Sequence, residues 1–388
     1  MSAYLDHAAT TPVRPEAVEA MLPFLTGRFG NPSGSHARGR DARRALDDAR
    51  EQMAEALGCT PGEVVFTSGG TEADNQAVHG TVAAQAGEGR TVAVATAIEH
   101  HAVLHPVERA GGRLVAVDRR GQVDLDALAA ACDPDVAVVS VMLANNESGV
   151  VQPLAEVGDV VRERAPGAVL HTDAVQAFLW LDVATLAAPA ALVSVSAHKF
   201  GGPQGVGALV IRDGTPVEPL LIGGGQERER RSGTQNVAGI VGMAAAARAV
   251  LDDRKALVER VSAMRDRLAD TLLRDIPGVT ESGVTGVAPD RNHKVAGSCH
   301  LLVDDVESEA LLFLLDDAGI CASAASSCAS GAMDPSHVLA AMGVPRGLAG
   351  GSLRLTLGWP STEADVDAVL AALPAAVDRA RRASGWTG

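Results

Sequence analysis

Lysine is scarce in this chain. Only three of its 33 basic residues are lysines, which leaves thirty arginines (33 less three). Only these three positions can form a Schiff base, because arginine stays charged and only lysine can offer a neutral amine. Lys255 lies in a charged helical pattern and Lys294 has no special setting, whereas Lys199 follows the apolar run 190–195 and precedes a Phe-Gly-Gly-Pro turn. Lys199 is therefore the candidate for a reactive amine.

Excess positive charge and long apolar runs are also absent. The formal net charge of −15 argues against a direct nucleic-acid partner. No stretch approaches the length of a membrane span, and the N-terminus lacks a secretory signal pattern. We expect a cytoplasmic protein that does not bind membranes.

Cysteine is sparse as well. The five cysteines are an odd number with no paired short spacing. This disfavours both a disulfide framework and a zinc site, so we predict no metal centre. It leaves room for a free reactive thiol.

Continuous apolar runs alternate with helical patterns along most of the chain. Strands are predicted at 64–67, 92–96, 114–117, 136–142, 168–172, 191–196 and 206–211. Because these strands are apolar throughout rather than at every second residue, they indicate a sheet covered on both faces. The fold class is therefore α/β, with a mostly parallel sheet covered by helices.

The pattern changes after the three glycines at 223–225. A long helix is predicted at 236–274, followed by a strand at 300–303 and helices at 307–317, 335–342 and 362–382. We predict a large domain over residues 16–255. A smaller C-terminal α+β domain would cover 256–388, with the segment 1–15 packed on it.

Two sets of polar residues follow predicted strands, where open α/β sheets gather ligands. After 64–67, Gly70 and Thr71 open a helix whose free N–H groups suit a phosphate; a capped helix start is the alternative. After 168–172, Asp173 could hold a heterocyclic nitrogen protonated, with Gln176 nearby. A helix cap is again the alternative.

Two further sets complete the pattern. His100, in Glu99-His100-His101, could stack on an aromatic ring or move protons. Ser196-Ala197-His198-Lys199 would place the amine at a strand end, although a lysine reaching from a strand end to solvent is common elsewhere. Together the four sets supply a phosphate cradle, a pyridinium partner, an imidazole and an amine, which is what pyridoxal phosphate requires.

Several longer segments carry a family resemblance. They are 4–12 (Tyr-Leu-Asp-His-Ala-Ala-Thr-Thr-Pro), 30–32 (Gly-Asn-Pro), 66–72 (Phe-Thr-Ser-Gly-Gly-Thr-Glu), 99–100 (Glu-His), 145–149 (Asn-Asn-Glu-Ser-Gly), 171–176 (His-Thr-Asp-Ala-Val-Gln), 196–203 (Ser-Ala-His-Lys-Phe-Gly-Gly-Pro), 231–234 (Arg-Ser-Gly-Thr) and 352–358 (Ser-Leu-Arg-Leu-Thr-Leu-Gly). Because these segments occur in this order, the chain resembles the NifS/IscS-like cysteine desulfurases. These belong to the class V aminotransferase family of fold-type I pyridoxal 5′-phosphate enzymes.

The resemblance implies roles for the residues around the cofactor. Lys199 would bind the cofactor and act as the base at the substrate Cα. Asp173 would pair with the pyridine nitrogen, Gln176 would bond the ring hydroxyl, and His100 would stack on the ring and help to move protons. Asn146 would lie near both the ring and the substrate.

The resemblance also assigns the phosphate and substrate contacts. Gly70, Thr71, Ser196 and His198 would bind the phosphate. Thr234 would reach the phosphate of a neighbouring subunit, which implies a homodimer with shared sites. The guanidinium of Arg354 would grip the carboxylate of L-cysteine.

Cys328 is the implied nucleophile. Its neighbours in 322–332 are small and polar, which favours a surface loop over a core position; an inert loop cysteine is the alternative. Cys328 would take the sulfur as a persulfide, release alanine and pass the sulfur to an acceptor protein for iron–sulfur clusters, tRNA or other thio-cofactors. The resemblance also allows Cys328 to ligate an iron–sulfur cluster transiently with a partner.

Three other functions share part of this pattern. A selenocysteine lyase would share almost every residue named above, and a related class V transaminase would keep Lys199 without using Cys328. A non-enzymatic sulfur scaffold would have no use for the cofactor contacts.

Overall fold

A computed structural model describes residues 2–284, 290–324 and 336–383. The strands are β1 (Ala3–Tyr4), β2 (Val64–Thr67), β3 (Val92–Thr96), β4 (Arg113–Val115), β5 (Val136–Ser140), β6 (Val169–Asp173), β7 (Leu192–Ser196), β8 (Gly207–Ile211), β9 (Val279–Glu281), β10 (Ser298–Val303), β11 (Ile320–Cys321) and β12 (Ser352–Thr356). The helices are α1 (Pro15–Leu25), α2 (Ala37–Leu57), α3 (Gly70–Asn75), α4 (Thr81–Gln85), α5 (His101–Arg109), α6 (Leu125–Ala131), α7 (Leu154–Arg164), α8 (Val183–Leu186), α9 (Val237–Asp275), α10 (Ser308–Asp317), α11 (His337–Ala341), α12 (Arg346–Ala349) and α13 (Glu363–Ala383).

The central sheet has seven strands in the order β2-β8-β7-β6-β5-β3-β4. Strand β8 runs antiparallel to both of its neighbours, and the remaining pairs are parallel. Strands β2, β5, β6, β7 and β8 are buried along their whole length. The continuous apolar runs predicted such a covered, mostly parallel sheet, because helices on both faces leave no side of a strand for water.

The predicted strands of this sheet all form, with small differences at their ends. Strand β5 ends at Ser140 rather than at 142, and β4 begins at Arg113. Strand β6 includes Asp173, which the sequence placed just after the strand.

A smaller antiparallel sheet has the order β12-β10-β9, and β1 pairs with β11 in a two-stranded parallel sheet. Only β10 was predicted from the sequence. Strand β12 was missed although it has five residues, and β9 has three. Strands β1 and β11 have two residues each and pair across more than three hundred positions. The local sequence pattern therefore carries no sign of this pairing.

Helix α9 connects the central sheet with the smaller one. It is 39 residues long, and the side chain of Asn236 accepts a hydrogen bond from the N–H of Gly239 at its start. The helix runs without a break through position 255, where the sequence placed a domain boundary, so that boundary stays a prediction. Within the described ranges, no helix has both the length and the apolar character needed to cross a membrane.

Candidate active site

A cavity of about 510 Å³ opens at the carboxyl ends of the parallel strands. Its lining contains ten of the predicted site residues: Gly70, Thr71, His100, Asn146, Asp173, Gln176, Ser196, His198, Lys199 and Arg354. These residues come from separate parts of the chain. Those of the central sheet meet because parallel strands end at one edge, whereas Arg354 comes from β12 of the smaller antiparallel sheet.

Lys199 ends a short 3₁₀ turn that directly follows β7. Its Nζ donates hydrogen bonds to the carbonyl oxygens of Ala8 at 2.5 Å and Ala9 at 2.9 Å. Burial, together with the charge of Arg354, lowers the pKa of Lys199 to about 8. The amine therefore has a substantial neutral fraction near neutral pH.

Asp173 is the last residue of β6 and is buried. Its Oδ1 accepts a hydrogen bond from the N–H of Val175 at 2.8 Å. Burial raises the pKa of Asp173, and the nearby Lys199 cation opposes that rise. A cation placed beside this carboxylate would be stabilised by it. Gln176 lies one turn further on and donates to the carbonyl of Ala8 at 2.8 Å.

His100 is the N-cap of α5, and its Nδ1 accepts a hydrogen bond from the N–H of Ala102 at 3.1 Å. Although the ring is open to the cavity, the protein around it and the charge of Lys199 lower its pKa to about 4. The ring is therefore neutral at pH 7. Because Nδ1 is an acceptor, the proton lies on Nε2.

The turn between β2 and α3 lies beside the end of β7. Gly69 adopts a φ of 155°, which residues with a side chain rarely do, and α3 begins at Gly70. A Cβ atom on Gly70 would lie 2.9 Å from Val175 and 3.5 Å from Ser196. This close packing brings the backbone N–H groups of the turn next to Ser196.

His198 also lines the cavity. Its Nδ1 lies 3.2 Å from the Oγ1 of Thr10, and burial and Lys199 lower its pKa to about 4. His198 is therefore a neutral hydrogen-bonding group at pH 7.

Arg354, in the middle of β12, is buried and lines the cavity. Its Nη1 donates to the carbonyl of Asn146 at 3.0 Å, and its Nη2 pairs with Asp6 at 2.8 Å. The sequence predicted Arg354 and Asn146 at the site but not the partner Asp6.

Three buried carboxyl groups beside the predicted residues were also not predicted. Asp74 and Glu147 line the cavity, and Glu99 precedes His100. Burial raises the pKa of each, to about 8 for Glu99. All three occur within or beside motifs that the sequence singled out. Charged residues usually lie at the surface of a protein, and only the fold shows that these three are buried.

One predicted residue that the structure describes, Thr234, is not among the cavity-lining residues. Thr234 is exposed, although its loop is tied to the first turn of α3 by an ion pair between Arg231 and Glu72 with a 2.8 Å separation. Cys328 lies outside the described residues. The roles of both stay predictions.

Comparisons with known proteins agree with this arrangement. A family model described as aminotransferase class-V matches residues 3–369. An IscS-like cysteine desulfurase of Mycobacterium tuberculosis is 47% identical, with 98% of each chain covered. A cysteine desulfurase IscS of Methanosarcina thermophila is 42% identical, covering 99% of this chain and 94% of that one.

The solved structure of a NifS-like protein superposes with a TM-score of 0.87 at 33% identity, covering all of both chains. The match confirms the predicted fold class. The chain belongs to the class-V aminotransferase family and, within it, to the NifS/IscS-like cysteine desulfurases.

Proposed function

We propose that this protein binds pyridoxal 5′-phosphate in the cavity and uses it to remove the sulfur of L-cysteine. The products would be L-alanine and a persulfide on Cys328. The observation that carries the proposal is the meeting of Lys199, Asp173 and His100 with the β2–α3 turn around one cavity. Each of these groups is suited to contact a different part of the cofactor.

The residues present fit this cofactor. The cavity volume of about 510 Å³ leaves room for a small aromatic ring with a phosphate and an amino acid. Asp173 offers a buried carboxylate to a ring nitrogen, and the turn at Gly69 and Gly70 offers backbone N–H groups to a phosphate. Ser196, which lies beside this turn, and His198 add polar side chains to the cavity lining.

When bound, pyridoxal phosphate would supply an electron sink for the bonds at the substrate Cα. Lys199 would hold the cofactor covalently and then take the proton from Cα. With a pKa of about 8, about one lysine in ten is neutral at pH 7. Nζ is held by two carbonyl oxygens of the N-terminal segment, which gives the released amine a fixed place beside the site.

Asp173 would keep the ring nitrogen protonated through charge pairing. His100, neutral and carrying its proton on Nε2, would stack on the ring and donate or accept a proton near the substrate. Gln176 would bond the ring hydroxyl, and Asn146 would lie between the ring and the substrate. These roles follow from the resemblance, and the shared cavity supports them.

Thr234 would complete the phosphate site of a second subunit, so that the working form is a homodimer. The exposure of Thr234 supports this placement, because a residue that serves a partner must be reachable. Arg354 would bind the substrate carboxylate. Cys328 would accept the sulfur and deliver it to an acceptor protein in the cytoplasm, of the iron–sulfur scaffold or tRNA-thiolation type.

The test combines a visible spectrum with product analysis. The purified protein is expected to be yellow and, with a thiol reductant such as dithiothreitol present to release the persulfide sulfur, to make sulfide and alanine in equal amounts from L-cysteine. Cys328→Ala should still change the cofactor spectrum on addition of L-cysteine but release no sulfide. Cys59→Ala, which removes a partly buried thiol that is not among the cavity-lining residues, is the matched control.

Other outcomes would point to the alternatives. Unchanged turnover in Cys328→Ala, or a keto acid in place of alanine, would indicate a transaminase or lyase. A strong preference for selenocysteine with little activity on cysteine would indicate a selenocysteine lyase. A colourless protein that stays so after incubation with the cofactor would contradict the proposal.

A further inference from the structure

The predicted carboxylate-binding arginine already has a carboxylate partner. The Nη2 of Arg354 lies 2.8 Å from Oδ1 of Asp6, and the side chain of Arg354 is only 6% exposed. Its Nη1 donates to the carbonyl of Asn146 at 3.0 Å. Its Nε is buried and has no hydrogen-bond partner among the described residues.

Hydrogen bonds of the neighbouring backbone fix the position of Asp6 beside Arg354. The N–H of Thr356 donates to the carbonyl of Leu5 at 2.7 Å, and the N–H of Ala8 donates to Oγ1 of Thr356 at 2.9 Å. These bonds fix the segment around Asp6 along β12, two residues from Arg354. The hydroxyl of Tyr4 adds a bond to the backbone carbonyl of Asp6 at 3.1 Å.

The ion pair leaves the buried Nε of Arg354 without an acceptor among the described residues, although the side chain lines the cavity. A carboxylate binds arginine most strongly when it accepts two parallel N–H bonds. With Nη1 bonded to Asn146 and one contact of Nη2 used by Asp6, the unpaired Nε is the donor that still lacks an acceptor among the described residues. An incoming carboxylate at the Nε edge would satisfy it.

We propose that Asp6 is a positioning residue that holds Arg354 so that its Nε edge receives the carboxylate of an α-amino acid. The proposal rests on the proposed function, in which Arg354 binds the substrate. Asp6 also balances the buried charge of Arg354 while no substrate is bound, since an isolated buried cation is costly. The ligand class is an amino acid with a free α-carboxylate, and esters or amines without it would gain nothing from Asp6.

Charge effects at Lys199 agree with this role. Arg354 lowers the pKa of Lys199, whereas Asp6 and Asp173 raise it. The ion pair of Asp6 and Arg354 therefore adds little net charge to the cavity, and the effects of its two charges on the pKa of Lys199 oppose each other. Arg354 can then remain in the cavity to bind a carboxylate.

The test uses the holoenzyme with Asp6→Ala and Asp6→Asn. In Asp6→Ala the KM for L-cysteine should rise on the order of tenfold with kcat nearly unchanged, because the loss falls on binding of the carboxylate. The inhibition constant of L-alanine should rise by a similar factor, and that of L-alanine methyl ester should not. Asp6→Asn keeps an acceptor without the charge, so its KM should lie between those of the wild type and Asp6→Ala.

Asp253→Ala is the matched control. Asp253 forms a similar ion pair, Arg14 to Asp253 at 2.8 Å, which also ties the N-terminal segment to the rest of the protein but lies outside the cavity lining. The KM of the Asp253→Ala variant for L-cysteine should match that of the wild type. If Asp6→Ala fails to fold, Asp6→Asn carries the test alone.

An unchanged or lowered KM in the Asp6 variants would overturn the inference, as would equal losses for L-alanine and its ester. Arg354→Ala separates this failure from failure of the proposed function. If Arg354→Ala leaves KM unchanged, the carboxylate site of the proposed function is wrong. If Arg354→Ala raises KM and the Asp6 variants do not, only the role of Asp6 is wrong.

Discussion

At the scale of single residues, the site is marked by carboxyl groups that the fold keeps from water. Glu99 is the clearest case. Its Oε1 accepts hydrogen bonds from Thr96 at 2.6 Å and from the N–H of Met142 at 2.8 Å, while its buried Oε2 has no partner among the described residues. Burial raises the pKa of Glu99 from 4.5 to about 8. The group is therefore protonated at pH 7 in the folded protein.

This raised pKa predicts a loss of stability as the pH rises. Between pH 4.5 and about 8, the unfolded chain releases the proton of Glu99 while the folded protein keeps it. Each pH unit in this interval therefore favours unfolding by up to about 1.4 kcal/mol. Below pH 4.5 both states hold the proton, so Glu99 contributes no slope there.

Glu99→Gln should remove that contribution. The amide keeps the acceptor oxygen without a titrating group. The free energy of unfolding of the variant should therefore rise relative to that of the wild type from about pH 5 to about pH 8. Urea unfolding at several pH values would measure this. Glu51→Gln, on an exposed position of α2, should leave the slope as in the wild type. A constant difference between Glu99→Gln and the wild type across this range would contradict the raised pKa.

At the scale of elements, the antiparallel strand β8 shapes the turn proposed to bind the phosphate. Gly207 is paired with Thr67 on β2 and with Ser196 on β7. A Cβ atom at Gly207 would lie 2.8 Å from Cα of Gly69 and 2.7 Å from the carbonyl oxygen of Val195. Because both neighbours are backbone atoms, a side chain here must displace the turn or the strand.

Gly207→Ala should therefore weaken cofactor binding more than it weakens the fold. Overpacking of this kind costs about 1–3 kcal/mol, which corresponds to roughly a fivefold to hundredfold rise in the dissociation constant if it falls on the turn. Absorbance titration of the apoprotein with pyridoxal phosphate would measure this. Gly62→Ala, just before β2, is the control, because the nearest atom to its Cβ would be 3.8 Å away. Equal affinity in the two variants would show that the turn absorbs the extra methyl group.

At the scale of the whole molecule, the N-terminal segment joins the two main sheets around the cavity. Its start pairs with β11 in the C-terminal part, and its middle bonds to Thr356 on β12. The carbonyl of Ala8 then reaches both Lys199 and Gln176 at the end of the central sheet. This short segment thus sets how β12 and the lysine face each other.

Thr356→Val should loosen this connection. The change keeps the shape of the side chain but leaves the N–H of Ala8 without its acceptor, which costs about 1–3 kcal/mol when the donor stays buried. The free energy of unfolding should fall by this amount in chemical denaturation. Thr280→Val, at an exposed position of β9, should change it little. Equal stability of Thr356→Val and the wild type would mean that water replaces the lost acceptor.

The sequence by itself determined the central sheet and which polar residues gather at its edge. Continuous apolar runs predict buried parallel strands, and polar residues placed directly after them must collect at one edge. For this reason the strand pattern alone could assign Lys199, Asp173 and His100 to one site, and the family motifs added Arg354. The predicted strands form and these residues line one cavity, because both outcomes depend on local pattern and on the direction of the strands. The roles of the residues stay predictions.

Only the tertiary structure decided which charged groups are buried and paired. Asp6 and Arg354 are 348 positions apart, and no local pattern links them. Glu99 has the sequence character of a surface residue, yet the folded chain buries it and brings the N–H of Met142, 43 positions away, to its carboxyl group. The physical reason is that desolvation and ion pairing depend on what the folded chain brings around a group, whereas periodicity reports only which face of its own element that group occupies.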